Sequence, residues 1–318
     1  MTTIEQASQL HRAGRIAEAV DHLRNAGLGG DGAAWVELAL WFLQGNGVVR
    51  DLRVSRELFG RAAALGDRQA RMIHLSLVAN GTGGPSDWPE GLRLLRTAAR
   101  DDADAARQVE LIAAMDLNER GDPKRATAGR MLQDRPETHL FTGLLTAVEC
   151  EALAAAALPS LVPSVVIHPA TGRAIPHPVR TSDNAGFPWL AETPFIHAIN
   201  RRLAAASRTD VAAGEPLQVL RYRPGQEYKP HFDAVPDTDN QRVLTMLAYL
   251  NDGYEGGETL FISTGLRVSG AVGDVLMFRN ATDDGRPDPQ SQHAGLPVTR
   301  GEKLIASRWI RQRHFGPL

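Results

Sequence analysis

Sulfur and lysine are both scarce in this chain. Its 318 residues include one cysteine, Cys150, which excludes an intrachain disulfide and any zinc or iron–sulfur site built from cysteine. A metal site must therefore draw its ligands from His, Asp or Glu. Neither sign of charge prevails: Lys+Arg 35 against Asp+Glu 37 leaves a formal net charge of -2, so nothing marks out a nucleic-acid partner. No apolar run approaches the roughly 18 residues of a membrane span, and no basic stretch precedes an apolar one at the start. These absences predict a cytoplasmic protein without a membrane partner. Among the cationic residues only Lys124, Lys229 and Lys303 are lysines.

What is present divides in two. Hydrophobic residues at 43% and charged residues at 23% are ordinary for a globular chain, and this length accommodates two domains. Up to about residue 118 the sequence is rich in Ala, Leu, Arg and Glu, whereas residues 160 to 315 alternate Val, Leu, Tyr and Phe segments with Gly, Pro, Asn and Asp clusters. The expected fold class is α+β, helices first and strands after. The connector is placed at 119–138, around Gly121-Asp-Pro123 and Pro136, leaving 139–318 as the stranded domain.

A shift of 36 residues superimposes Gly30-Asp31 on Gly66-Asp67, Gly45-Asn46-Gly47 on Gly81-Thr82-Gly83, Ala62-Ala63 on Ala98-Ala99, and Ala70 on Ala106. Agreement at one period signals a solenoid of helical pairs, each covering its neighbour's apolar face. The spacing resembles the Sel-one-like repeats, relatives of the tetratricopeptide repeat, with Trp35 to Trp41 and Phe59-Gly-Arg-Ala-Ala-Ala as the two helices of the best copy. Such a solenoid either caps its neighbour or holds a polypeptide. Trp35, Trp41 and Trp88 are expected in its core.

Downstream, Pro216 to Gly225 reads as a strand closed by a Pro-Gly turn, and Glu227-Tyr-Lys-Pro-His-Phe-Asp233 as an extended piece. Residues i and i+2 of a strand share a side, so His231 and Asp233 bring an imidazole and a carboxylate to one place. His293 lies in a second extended segment, available as a third ligand. Two histidines and one carboxylate on one face of a metal leave its other positions open, as in non-haem Fe(II) oxygenases. Ten residues beyond His293, Lys303 is positioned to pair with a carboxylate in the same cavity.

Residues 137 to 312 resemble the prolyl 4-hydroxylase branch of the Fe(II)/2-oxoglutarate-dependent dioxygenases. The matching blocks are Val179-Arg-Thr-Ser182, expected just before a helix, then Glu215 to Tyr222, Pro224 to Asp233, Leu244 to Asn251, Gly256-Gly-Glu-Thr259, Gly273 to Phe278, and His293 through Lys303 to Trp309. The resemblance implies a double-stranded β-helix, or jelly roll, and a dioxygenase of the procollagen-proline 4-dioxygenase kind. His231, Asp233 and His293 would bind Fe(II), Lys303 the distal carboxylate of 2-oxoglutarate, and Tyr222, Tyr249 and Thr259 would surround that co-substrate. O₂ would be the oxidant and L-ascorbate the reductant, with a prolyl residue of a protein or peptide as substrate, recruited by the repeats.

Leu220, Met246, Leu247 and Phe278 are expected to keep water from the site, and Arg180, Arg267 and Trp309 are further candidates near substrate. The connections 234–241 and 281–290 are either solvated loops or lids, and His177 has no partner ligand at useful spacing. Three other readings stand beside the first: a hydroxylase of a free amino acid or small metabolite, a non-catalytic solenoid adaptor, and a zinc hydrolase on the same ligands.

Overall fold

Aspartate starts most of the N-terminal helices. In the computed structural model, which describes residues 1–125, 127–167, 174–176 and 178–316, seven helices come first: α1 (Thr3–Arg12), α2 (Ile16–Leu28), α3 (Gly32–Gln44), α4 (Leu52–Ala64), α5 (Arg68–Asn80), α6 (Trp88–Ala98) and α7 (Ala103–Ala114). The carboxylates of Asp31, Asp51, Asp67, Asp87 and Asp102 accept the backbone N–H of Ala34, Val54, Ala70, Glu90 and Ala105, satisfying donors that a helix start leaves without partners. Helices α3 and α5 end on Gly45 and Gly81 at φ +73° and +83°, a left-handed turn that glycine adopts without strain.

The caps reproduce the 36-residue shift from Asp31 to Asp67 and from Asp51 to Asp87, but Asp102 falls one residue early. Ala70 therefore corresponds to Ala105, not Ala106. Trp35, Trp41, Phe59, Ala39 and Ala62 fill the core of this helical unit, and Trp88 is buried as expected. None of the helices among the described residues is long and apolar enough to cross a membrane.

The chain separates into two compact units, one holding Met1–Asp122 with Trp189–Ile199, the other Pro123–Pro188 with Asn200–Gly316. The second unit carries β1 (Arg130–Gln133), β2 (Thr138–Phe141), α8 (Ala147–Ala157), β3 (Val162–Pro163), β4 (Val165–Ile167), β5 (Ala174–Pro176) and β6 (Asp183–Gly186). Helix α9 (Pro194–Ser207) runs across the division. Then come β7 (Gln218–Tyr222), β8 (Tyr228–His231), β9 (Arg242–Tyr249), β10 (Glu255–Gly256), β11 (Thr259–Phe261), β12 (Arg267–Val268), β13 (Val275–Arg279), β14 (His293–Gly295), β15 (Val298–Arg300) and β16 (Lys303–Arg311).

Two antiparallel sheets form the body of this unit, eight strands in the order β1-β2-β13-β9-β16-β7-β6-β3 and four in the order β12-β11-β14-β8. Leu140, Leu220, Leu247, Leu276 and Ile305 from the larger sheet join Phe261 and Val268 from the smaller in one apolar cluster. A core shared by two inner faces is the arrangement of a jelly roll.

Three expectations change. Strand β1 lies inside the stretch read as connector and pairs with β2, so the sheet begins before residue 138. Val179 to Ser182 leads into strand β6 rather than directly into a helix. On β9 Met246 and Leu247 are consecutive, so they project to opposite faces, and only Leu247 reaches the cavity. His177 lies outside the described residues.

Candidate active site

Strand pairing assembles the titratable cluster. β8 and β14 are neighbours, and His231 and His293 occupy one rung of their ladder. Their rings, 4.3 Å apart between centroids, share a face of the sheet. Asp233 follows two residues after His231 and turns its carboxylate to the same place. The donor atoms of the three lie within 4.8 Å of one another, the one such group of His, Cys, Asp and Glu found among the described residues.

Each ring is held by its other nitrogen. Nδ1 of His231 lies 2.8 Å from the Lys229 carbonyl and Nδ1 of His293 lies 2.9 Å from the Ser291 carbonyl. A carbonyl only accepts, so Nδ1 bears the proton in both rings and Nε2 presents its lone pair. From those Nε2 atoms the nearest Asp233 oxygens are 3.6 and 3.7 Å away, too far for hydrogen bonds.

Burial pushes the His293 imidazole down to about 4, which keeps it neutral at physiological pH. Burial alone would raise the Asp233 carboxyl; the facing imidazoles of His293 and His231 and the Thr245 hydroxyl outweigh it and hold the group well below the usual carboxylate range. Two imidazole nitrogens and one anionic oxygen, oriented together and not bonded to each other, fit a divalent iron ion.

The cavity above the cluster is lined by Leu220, Tyr222, Tyr228, Leu247, Thr259, Lys303, Ile305, Ser307 and Trp309, among others. Period-two alternation on β16 supplies Lys303, Ile305, Ser307 and Trp309 to this one wall. Lys303 is buried, stands opposite Tyr222 in the ladder, and donates to the Gly257 carbonyl. Burial lowers its ammonium to about 8 against the pull of Glu258. The buried phenols of Tyr222 and Tyr249 are both shifted upward by desolvation, so both stay protonated.

The candidate residues do not all converge. Tyr249 is absent from the lining; its hydroxyl donates to the Val268 carbonyl at 3.4 Å. Arg267 sits exposed on β12, away from the cavity wall. Arg180 lies with its guanidinium carbon 5.7 Å from the Tyr228 ring centroid. Phe278 packs edge-on against His293, 4.6 Å between centroids, supporting the cluster from below the ligand face.

Residue-type reasoning overlooked Tyr228, whose ring stacks on His231 at 3.4 Å and 12°. Residues three apart in a regular strand face opposite ways. A register irregularity between the His293 and Gly295 rungs adds one residue to β8 and brings Tyr228 round to the same side. Arg242 was overlooked too: its guanidinium lies 3.7 Å over the Trp309 ring and donates twice to Glu215.

Residues 217–311 match the model of the 2OG-Fe(II) oxygenase superfamily. Prolyl 4-hydroxylase 1 of Arabidopsis thaliana is 40% identical over 197 residues, 56% of this chain and 70% of that protein. The chain belongs to the prolyl 4-hydroxylase family. Among solved structures, the viral collagen prolyl hydroxylase from Paramecium Bursaria Chlorella virus-1 is 30% identical, with 55% of this chain and 95% of that one covered at a TM-score of 0.44. A Sel1 repeat protein from Oxalobacter formigenes is 23% identical over 34% of this chain and 85% of its own, at a TM-score of 0.29. Membership of this prolyl 4-hydroxylase family carries with it Fe(II), 2-oxoglutarate and O₂.

Proposed function

We propose that the protein hydroxylates prolyl residues of a protein or peptide, consuming 2-oxoglutarate and O₂ and releasing succinate and CO₂. The observation that carries this reading is the buried Lys303 on the wall of the same cavity as His231, Asp233 and His293. A zinc hydrolase has no use for a desolvated ammonium there, while a dicarboxylate co-substrate needs one.

His231 and His293 hold Fe(II) through Nε2 and Asp233 through its carboxylate. When bound, the metal supplies the one-electron and O₂ chemistry that no side chain here can perform. Lys303 pairs with the distal carboxylate of 2-oxoglutarate, its charge undiluted by water. The Tyr222 hydroxyl, kept protonated by its burial, would donate to that carboxylate, and Thr259 lines the cavity beside it. Tyr249 acts at one remove, through its contact with Thr259. Leu220, Leu247 and Ile305 exclude water from the reacting centre.

L-ascorbate as reductant, recruitment of the polypeptide by the helical repeats, and a cytoplasmic setting complete the reading. The setting is supported by the chain's single cysteine, a buried free thiol. Incubation with Fe(II), 2-oxoglutarate, ascorbate and proline-rich peptides should give succinate with a matching +16 Da shift on proline. Oxidation confined to free amino acids or small metabolites would refute the peptide substrate, and no 2-oxoglutarate turnover with any substrate would favour the adaptor.

A further inference from the structure

The carboxylate of Asp233 is gripped from behind. The Thr245 hydroxyl donates to Asp233 Oδ2 at 2.6 Å, and the Asn280 amide nitrogen donates to Thr245 Oγ1 at 2.8 Å. Thr245 sits on β9 and Asn280 just past β13, adjacent strands of the larger sheet. Thr245 and Asn280 are both buried. Neither touches the cavity.

The direction of this relay is forced. The ionised Asp233 carboxylate only accepts, so the single Thr245 proton goes to it and the Thr245 oxygen needs a donor at its other contact. The Asn280 nitrogen meets that need, whereas its Oδ1 is buried with no hydrogen-bond partner. An asparagine placed for packing alone would not leave an acceptor without a partner in the interior. The same residue reaches the second ligand segment: its backbone carbonyl accepts from the Asp288 N–H at 2.9 Å, the Asp288 carbonyl accepts from the Ser291 hydroxyl at 2.8 Å, and the Ser291 carbonyl holds His293 Nδ1.

We propose that Asn280 and Thr245 are positioning residues for the metal, fixing the rotation of the Asp233 carboxylate while Asn280 also braces the turn that orients His293. This rests on the assignment of His231, Asp233 and His293 as ligands. Outer partners of metal ligands typically contribute about 10- to 100-fold in metal affinity.

The test is Mn(II) binding to the full chain, read from the free-ion paramagnetic resonance signal, with the melting temperature of the metal-free protein measured beside it. Thr245→Val, which keeps the shape and removes the proton, should weaken Mn(II) binding by about 10- to 100-fold in a protein that still unfolds cooperatively. Thr245→Ser should restore wild-type binding, because it restores the donor. Asn280→Leu breaks the relay one residue further back and should weaken binding in the same direction, which keeps the inference testable if Thr245→Val does not fold. Wild-type affinity in Thr245→Val, or equal weakening in Thr245→Ser, overturns the relay. Wild-type affinity in His231→Ala overturns the ligand assignment, and the relay with it.

Discussion

Lys303 is charged only because its surroundings permit it narrowly. With its ammonium lowered to about 8, 2-oxoglutarate affinity should fall as pH rises through that value, and titration of co-substrate binding between pH 7 and 9.5 checks this. The same shift acts oppositely on stability: between about 8 and the usual 10.5 the unfolded chain binds more protons, so this group makes the metal-free protein more stable as pH rises. Lys303→Met should cost about a hundredfold in 2-oxoglutarate affinity, as expected when one partner of a buried charge pair is truncated; calorimetry with retained Mn(II) binding isolates that loss. Lys303 was legible in the sequence through rarity, and His231 and Asp233 through their spacing. Thr245 and Asn280 were not, because 35 residues separate them and only sheet pairing brings them together.

At the scale of elements, the helical repeat was readable because glycine and alanine recur at fixed positions where helices end or touch. Its last step of 35 residues escaped because alanine is too common to mark a register. Strands β1 and β6 escaped for other reasons: Arg-Met-Leu-Gln is too short to show alternation, and Asp-Asn-Ala-Gly is composed of residues that avoid strands. Two substitutions probe the repeat. Gly83 has φ +74°, and a Cβ there would strike the Leu52 carbonyl, whereas a Cβ on Gly66, at φ +91°, meets nothing within 4 Å. Gly83→Ala should therefore lower the thermal midpoint clearly more than Gly66→Ala, measured by circular dichroism at 222 nm. Asp102→Ala removes a helix cap and the partner of Arg68, and should cost about 1 to 2 kcal/mol by denaturant titration.

For the whole molecule, ligand binding and folding are linked. Fe(II) or Mn(II) with 2-oxoglutarate, each near 100 times its dissociation constant, should stabilise the unit that holds the site by about 2.7 kcal/mol per ligand. Chelation should remove that gain, and Asp233→Ala should abolish it. The two-part organisation was visible in composition alone, but the assignment of Trp189–Ile199 to the helical unit was not, since nothing local distinguishes that segment from its neighbours. One feature of the barrel reaches further. His231 and His293 meet on a single rung of a strand pair, so their distance is set by the pitch of the ladder and is indifferent to the 61 residues between them. The tips of the two connections, 236–239 and 282–286, are thus free to lengthen, shorten or change in sequence while the reaction centre keeps its dimensions. Selection, or a designer, can rewrite those tips without moving the ligands apart.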